Sequence, residues 1–167
     1  MRIIVDTSKG KLKAAHKTYI CAHGLNGSVS QSDGREGDGK TPLGVYALRY
    51  GLYREDRFVL PKTGLPFYPI AKNDGWCDMP HDPAYNCPVR LPYGASAEKL
   101  WKKSHGYDVL IVFGYNDNPP IPGLGSAIFL HIARPRFKPT QGCIGISKRA
   151  MGALVKELNS GDTVEIV

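Results

Sequence analysis

The sequence predicts a mainly β fold, a β-rich α+β domain with two or so peripheral helices, and three observations carry that prediction. Short apolar runs rich in β-branched and aromatic residues recur along the chain, bounded by turn formers. Nineteen glycines and thirteen prolines in 167 residues demand many turns and leave little continuous chain for long helices. Only two segments read as helices. A chain of this length fits one domain, residues 1–167, and can bury a core without disulfides. Its 42% apolar and 22% charged content excludes a disordered chain.

In chain order, IIV near the start, TYICA at 18–22, GVYALRY at 44–50, DVLIVFGY at 108–115, AIFLHI at 127–132 and TVEIV at 163–167 have the composition of strands. The first helix is expected over SAEKLWKKS, 96–104, with Ser96 as its N-cap. The second, KRAMGALVKELN at 148–159, follows Ser147, places Met151, Leu154, Val155 and Leu158 on one face and stops at Gly161. The stretch from Pro61 to Pro92 has many turn residues and no clear period. Such segments often line sites, and Trp76, Asp78, Tyr85 and Asn86 are its candidates for a groove wall, although surface packing is the commoner role.

Twenty-two basic against fifteen acidic residues give a net charge of +7, which suits an anionic partner. The basic residues are scattered and no recognition motif accompanies them, so nucleic acid is not expected. No apolar run is long enough for a transmembrane segment, and MRIIVDTSKG, with one basic and three aliphatic residues before Asp6, does not read as a secretory signal. Cys77, His81 and Cys87 match no paired zinc spacing and lack a fourth ligand nearby, so neither a metal nor a cofactor is expected. Cys77 and Cys87 are read either as a disulfide pair or as packing thiols.

His131 and Cys143 frame the loop HIARPRFKPTQGC, and this pair carries the chemistry. A thiol attacks as thiolate, and its free pKa of about 8.5 requires a base or positive neighbours near neutrality. The loop supplies imidazole at one end and Arg134, Arg136 and Lys138 between. His131 falls near the end of an apolar strand; Pro135 and Pro139 bar regular structure, and Gly142 allows the sharp turn that returns Cys143 to the strand. The Gly142 amide is the expected oxyanion donor for a tetrahedral intermediate. The bland alternative is an inert packing cysteine beside a hydrogen-bonded core histidine, and spacing alone leaves the two readings about even.

A rival pattern lies at residues 34–41, where GREGDGKT satisfies the phosphate-loop spacing. That motif works only after a hydrophobic strand and before a helix whose N-terminus faces phosphate. Polar SVSQSD precedes it, PLGVYALRY follows, and Glu36 and Asp38 would repel phosphate inside the cradle. Nucleotide binding is therefore not expected; the glycines shape a loop, with Arg35 and Lys40 solvated.

The segment FLHIARPRFKPTQGCIGIS resembles the signature of the L,D-transpeptidase catalytic domain, the YkuD-like family, and GDGKTPLGVYAL at 37–48 resembles that family's earlier glycine, threonine, proline, glycine block. The likeness runs over roughly residues 15 to 167. It implies an L,D-transpeptidase-like β-sandwich, a periplasmic setting, peptidoglycan stem peptides as partners, and acyl transfer from a diaminopimelate residue through a Cys143 thioester to an amine, with D-alanine released. Water in place of the amine makes the same machinery a carboxypeptidase or endopeptidase. The resemblance also implies capture by carbapenems. Three residues depart from the pattern: Gln141 where a second histidine is usual, Ile132 where glycine is common, and Gly145 where an arginine often follows the nucleophile. Arg134 or Arg136 is expected to take over that arginine's anionic contact, and Thr140, Gln141, Trp76 and Asn116 to contact substrate. A backbone carbonyl is expected to orient His131, ahead of Asn116 or Asp117. The histidine-before-cysteine order argues against papain-like and NlpC/P60-like peptidases. The reading from another class is a non-enzymatic basic module that binds anionic wall polymer.

Overall fold

The computed structural model describes residues 1–167. Fourteen strands and one α-helix follow one another as β1 (Arg2–Asp6), β2 (Lys11–Ala14), β3 (Lys17–Ala22), β4 (Ser28–Val29), β5 (Thr41–Pro42), β6 (Gly44–Tyr53), β7 (Phe67–Pro69), β8 (Asp74–Cys77), β9 (Pro88–Arg90), β10 (Ala97–Lys99), β11 (Val109–Phe113), β12 (Phe129–Ile132), β13 (Ile144–Ile146), α1 (Lys148–Val155) and β14 (Thr163–Ile166). The β-rich α+β architecture holds. Its main sheet has the order β11-β12-β13-β3-β2-β1-β14-β6-β7, and a further pairing of β11 with β6 closes it into a barrel-like ring. The ten-residue β6 makes the closure possible: Gly44–Ala47 pair with β14, while Leu48–Tyr53 pair with β11.

Alternation sorts the side chains. Ile3 and Val5, Leu12 and Ala14, Tyr46 and Leu48, Leu130 and Ile132, and Val164 and Ile166 point into one cluster of 25 buried residues. The helix adds Ala150, Met151, Leu154 and Val155 to that cluster, and its N-cap Ser147 accepts a hydrogen bond from the Ala150 amide at 3.1 Å. On β11 and β12 the other face is buried too. Leu110, Val112 and Phe129 pack with Ile70, Trp76, Leu100, Tyr107 and Cys143 in a second cluster of eight. This is why VLIVF and FLHI read as unbroken apolar runs: both faces are covered. The cover is a three-stranded sheet of order β10-β8-β9, and the candidate nucleophile belongs to the layer between the two sheets.

All six strands read from the sequence are present; the helices differ. The helix expected at 96–104 is instead β10 followed by irregular chain. Glu98 lies opposite Trp76 in the ladder, the Leu100 amide donates to the Asp74 carbonyl at 3.0 Å, and the Arg54 guanidinium sits 3.4 Å from the Trp101 ring centroid. Ala97, Leu100 and Trp101 fall at i, i+3 and i+4 and so satisfy a helical pattern locally; the ladder with Gly75, Trp76 and Cys77 overrides it. The second helix ends at Val155, earlier than 159, because Leu158 enters the core through a turn closed by the Asn159 amide on Asp162 Oδ2 at 2.8 Å.

Candidate active site

The glycine-rich block at 37–44 folds against the loop that carries Cys143. Thr41, fully buried on β5, accepts a hydrogen bond from the Gly24 amide and donates one to the Gly142 carbonyl, both at 2.8 Å. Gly142 sits at φ 132°, and a Cβ there would lie 2.7 Å from the Lys40 carbonyl oxygen, so only glycine fits between the two loops. Thr140 is likewise consumed locally: its hydroxyl donates to the Cys143 carbonyl at 2.6 Å and accepts from the Gly142 amide at 3.1 Å. The Gly142 amide, expected at the oxyanion, is therefore occupied. Below this turn, β13 leaves Cys143 in parallel pairing with β12, with His131 opposite Gly145.

His131 Nδ1 faces its neighbour's carbonyl, Ile132 O, at 2.9 Å. A carbonyl only accepts, so Nδ1 carries the proton and Nε2 is left with a lone pair. This is the backbone orienting group; Asn116 and Asp117 are engaged elsewhere, Asn116 with the Ile121 and Gly125 carbonyls and Asp117 with Arg49. The imidazole stacks edge-on against Tyr107 with centroids 5.4 Å apart. Cys143 Sγ donates to the Ala127 carbonyl at 3.1 Å and lies 3.4 Å from the Phe129 amide. Burial pushes the thiol up to about 12, with the Glu98 charge adding to it, and the same burial holds His131 below its ordinary value. The resting site thus holds a neutral thiol and a neutral imidazole, and a thiolate arises only as its proton is taken.

Both groups line one groove of about 520 Å³, shared with Glu36, Gly37, Asp78, Glu98, Lys102, Tyr107, Ser126, Arg134, Thr140 and Gln141. Of the predicted substrate contacts, Arg134, Gln141 and Thr140 line it, the last chiefly through its place in the turn. Arg136 does not. It is exposed at φ 60° in a short 3-10 turn over Pro135–Phe137. Trp76 is buried against Phe129 and donates through Nε1 to Asn86 Oδ1 at 2.9 Å, and Asn116 is buried with its amide spent on backbone, so neither reaches the groove. Sequence reasoning missed Glu98, Lys102, Tyr107, Glu36 and Ser126. Glu98 Oε1 accepts from the Tyr107 hydroxyl at 2.9 Å and from Lys102 Nζ at 2.5 Å, a cluster no spacing rule announces.

A histidine oriented by main chain, sharing a groove with a cysteine on a glycine turn that a Gly-Lys-Thr-Pro loop braces, agrees with the family model that matches residues 1–166, the YkuD L,D-transpeptidase catalytic domain. The chain belongs to that family. No curated protein and no solved structure matches it in the comparisons made. The members of the YkuD family are L,D-transpeptidases that act on peptidoglycan peptides. As a YkuD domain the chain keeps the glycine turn and departs beside it for visible reasons. A Cβ at Gly145 would come 3.1 Å from Ala133 Cα, a tight contact that a side chain there would have to push aside, and Arg134 is the groove's only arginine. The phosphate-loop pattern of 34–41 is followed by β5 and β6 rather than a helix. Cys21, Cys77, Cys87 and Cys143 are all free thiols, and no group of three or more metal-ligating side chains is assembled. No helix is long and apolar enough to cross a membrane.

Proposed function

We propose that the protein is a periplasmic peptidoglycan L,D-transpeptidase that uses Cys143 as nucleophile and His131 as general base. The observation that carries this reading is the shared groove of the two side chains, with His131 Nδ1 committed to Ile132 O so that Nε2 is the basic nitrogen. Nε2 takes the thiol proton as Sγ leaves the Ala127 carbonyl and attacks the carbonyl of a diaminopimelate residue. The amide of Cys143 faces the oxyanion, since Gly142 N–H is already bonded, and Arg134 holds a donor carboxylate. The protonated imidazole then delivers its proton to the departing D-alanine amine, leaving a thioester. An amine of a second stem resolves it and forms the crosslink; resolution by water gives the hydrolytic variant of the same machinery.

Intact mass spectrometry after incubation with a tetrapeptide stem tests this. The expected result is a covalent adduct with loss of D-alanine in the wild type and none in Cys143→Ala, with the same contrast for a carbapenem. Adducts that persist in Cys143→Ala overturn it. The buried, proton-retaining thiol favours a second reading, a wall-polymer-binding module without chemistry. In that case no adduct forms and affinity for anionic polymer falls steeply with salt.

A further inference from the structure

The groove contains charge that the acylation chemistry does not use. Besides the thiol and the Tyr107 phenol, six titratable side chains line it: Glu36, Asp78, Glu98, Lys102, His131 and Arg134. Glu98 and Lys102 neutralise each other. Arg134 makes no ion pair and donates only to the Pro139 carbonyl, which leaves it for a carboxylate. Glu36 accepts from the Tyr85 hydroxyl at 2.6 Å and has no basic partner. Asp78 makes no side-chain hydrogen bond or ion pair, and its Oδ1 is buried without a partner; the same is true of the hydroxyl of Ser126, a residue only 9% exposed. A buried polar atom without a protein partner is free to take one from a ligand, and two such atoms line this groove. Ser126 immediately precedes Ala127, whose carbonyl holds the Cys143 thiol, and both Ser126 and Cys143 line the groove.

We propose that Asp78, Ser126 and Glu36 form a subsite for the primary ammonium group of the acyl acceptor, opposite in charge to the Arg134 contact for the donor. This rests on the transpeptidase reading above and specifies its second substrate. Two carboxylates without basic partners attract an ammonium and disfavour a free carboxylate at that place, while the Ser126 oxygen accepts one of its N–H groups. The ammonium gives one proton to water as it leaves the carboxylates. The resulting amine attacks the thioester carbonyl, the C–N bond forms as the C–S bond breaks, and the remaining excess proton on nitrogen passes through His131 Nε2 to the Cys143 sulfur. The groove thereby favours aminolysis over hydrolysis by gathering the amine, an effect on acceptor KM more than on kcat.

The test starts from the acyl-enzyme formed with a tetrapeptide stem and adds either a diaminopimelate-containing tripeptide, which carries an ammonium, or hydroxylamine, which is uncharged at neutral pH. Asp78→Asn and Ser126→Ala are expected to raise the KM for the tripeptide about tenfold, with kcat and hydroxylaminolysis changing little. An unchanged tripeptide KM in both variants overturns the subsite while leaving the transpeptidase reading intact. An equal loss with tripeptide and hydroxylamine overturns it too, because a general distortion does not distinguish charge. A wild type that forms no acyl-enzyme removes the transpeptidase reading and the subsite with it.

Discussion

His131 is buried as the neutral base, and its protonation is therefore coupled to folding. Its value in the folded protein lies below the ordinary 6.5, so between those two values the unfolded chain binds a proton that the native state refuses. Stability from this residue falls as pH drops through that window and is indifferent to pH above it. Thermal melts from pH 8 to pH 5 are expected to show a declining Tm below about 6.5, and His131→Gln to flatten that part of the decline; a slope unchanged by the substitution excludes His131 as its source. At this scale the sequence was informative about residue type and silent about direction. His131 and Cys143 were legible because thiol chemistry needs a base and a turn, and both are spelled in one loop. Trp76 and Asn116 misled because an aromatic and an amide in a turn-rich segment look equally suited to a groove and to the buried clamp they form. Tyr107 and Glu98 were invisible because their meeting near His131 depends on the turn over His105–Tyr107 packing against β12 and on the Tyr107 hydroxyl reaching Glu98 on β10.

Among the elements, the two-residue β5 has an importance out of proportion to its size. Thr41 bridges the Gly24 amide to the Gly142 carbonyl, tying the chain after β3 to the turn that presents the sulfur. Thr41→Val keeps the shape and strips both bonds, leaving a buried N–H and a buried carbonyl unpaired. The expected cost is about 1–3 kcal/mol in chemical denaturation, with a fall in the rate of acyl-enzyme formation larger than the stability loss explains. A variant that is destabilised but acylates at the wild-type rate limits Thr41 to structural support. Six strands of the main sheet were readable because each has a strong apolar pattern; β2, β7 and β13 in that sheet, and β8, β9 and β10 in the other, were not, since runs of three or four residues carry too little pattern to stand out. The false helix at 96–104 has the same origin. A serine cap and charged residues satisfy helix rules locally, and only the ladder partners at Gly75, Trp76 and Cys77 decide for a strand.

In the whole molecule, the ring closes through its ends in sequence. Strand β14 lies between β1, in parallel, and β6, antiparallel, with Ile3 opposite Val164 and Tyr46 opposite the same residue. Removing residues 163–167 withdraws Val164 and Ile166 from the core and opens two ladders at once. The truncated chain is expected to lose its cooperative thermal transition, and an intact sharp transition by calorimetry excludes that dependence. Composition and turn density made the β-rich class readable in the sequence, but not this closure, because strand order across the ring is set by pairings more than a hundred residues apart. The seam also orders events in time. A nascent chain still lacking Thr163–Ile166 presents two unsatisfied strand edges, β1 and β6, to whatever surrounds it. Exposure to misassembly is therefore expected to be greatest before β14 is seated between β1 and β6, and to end once both ladders are closed.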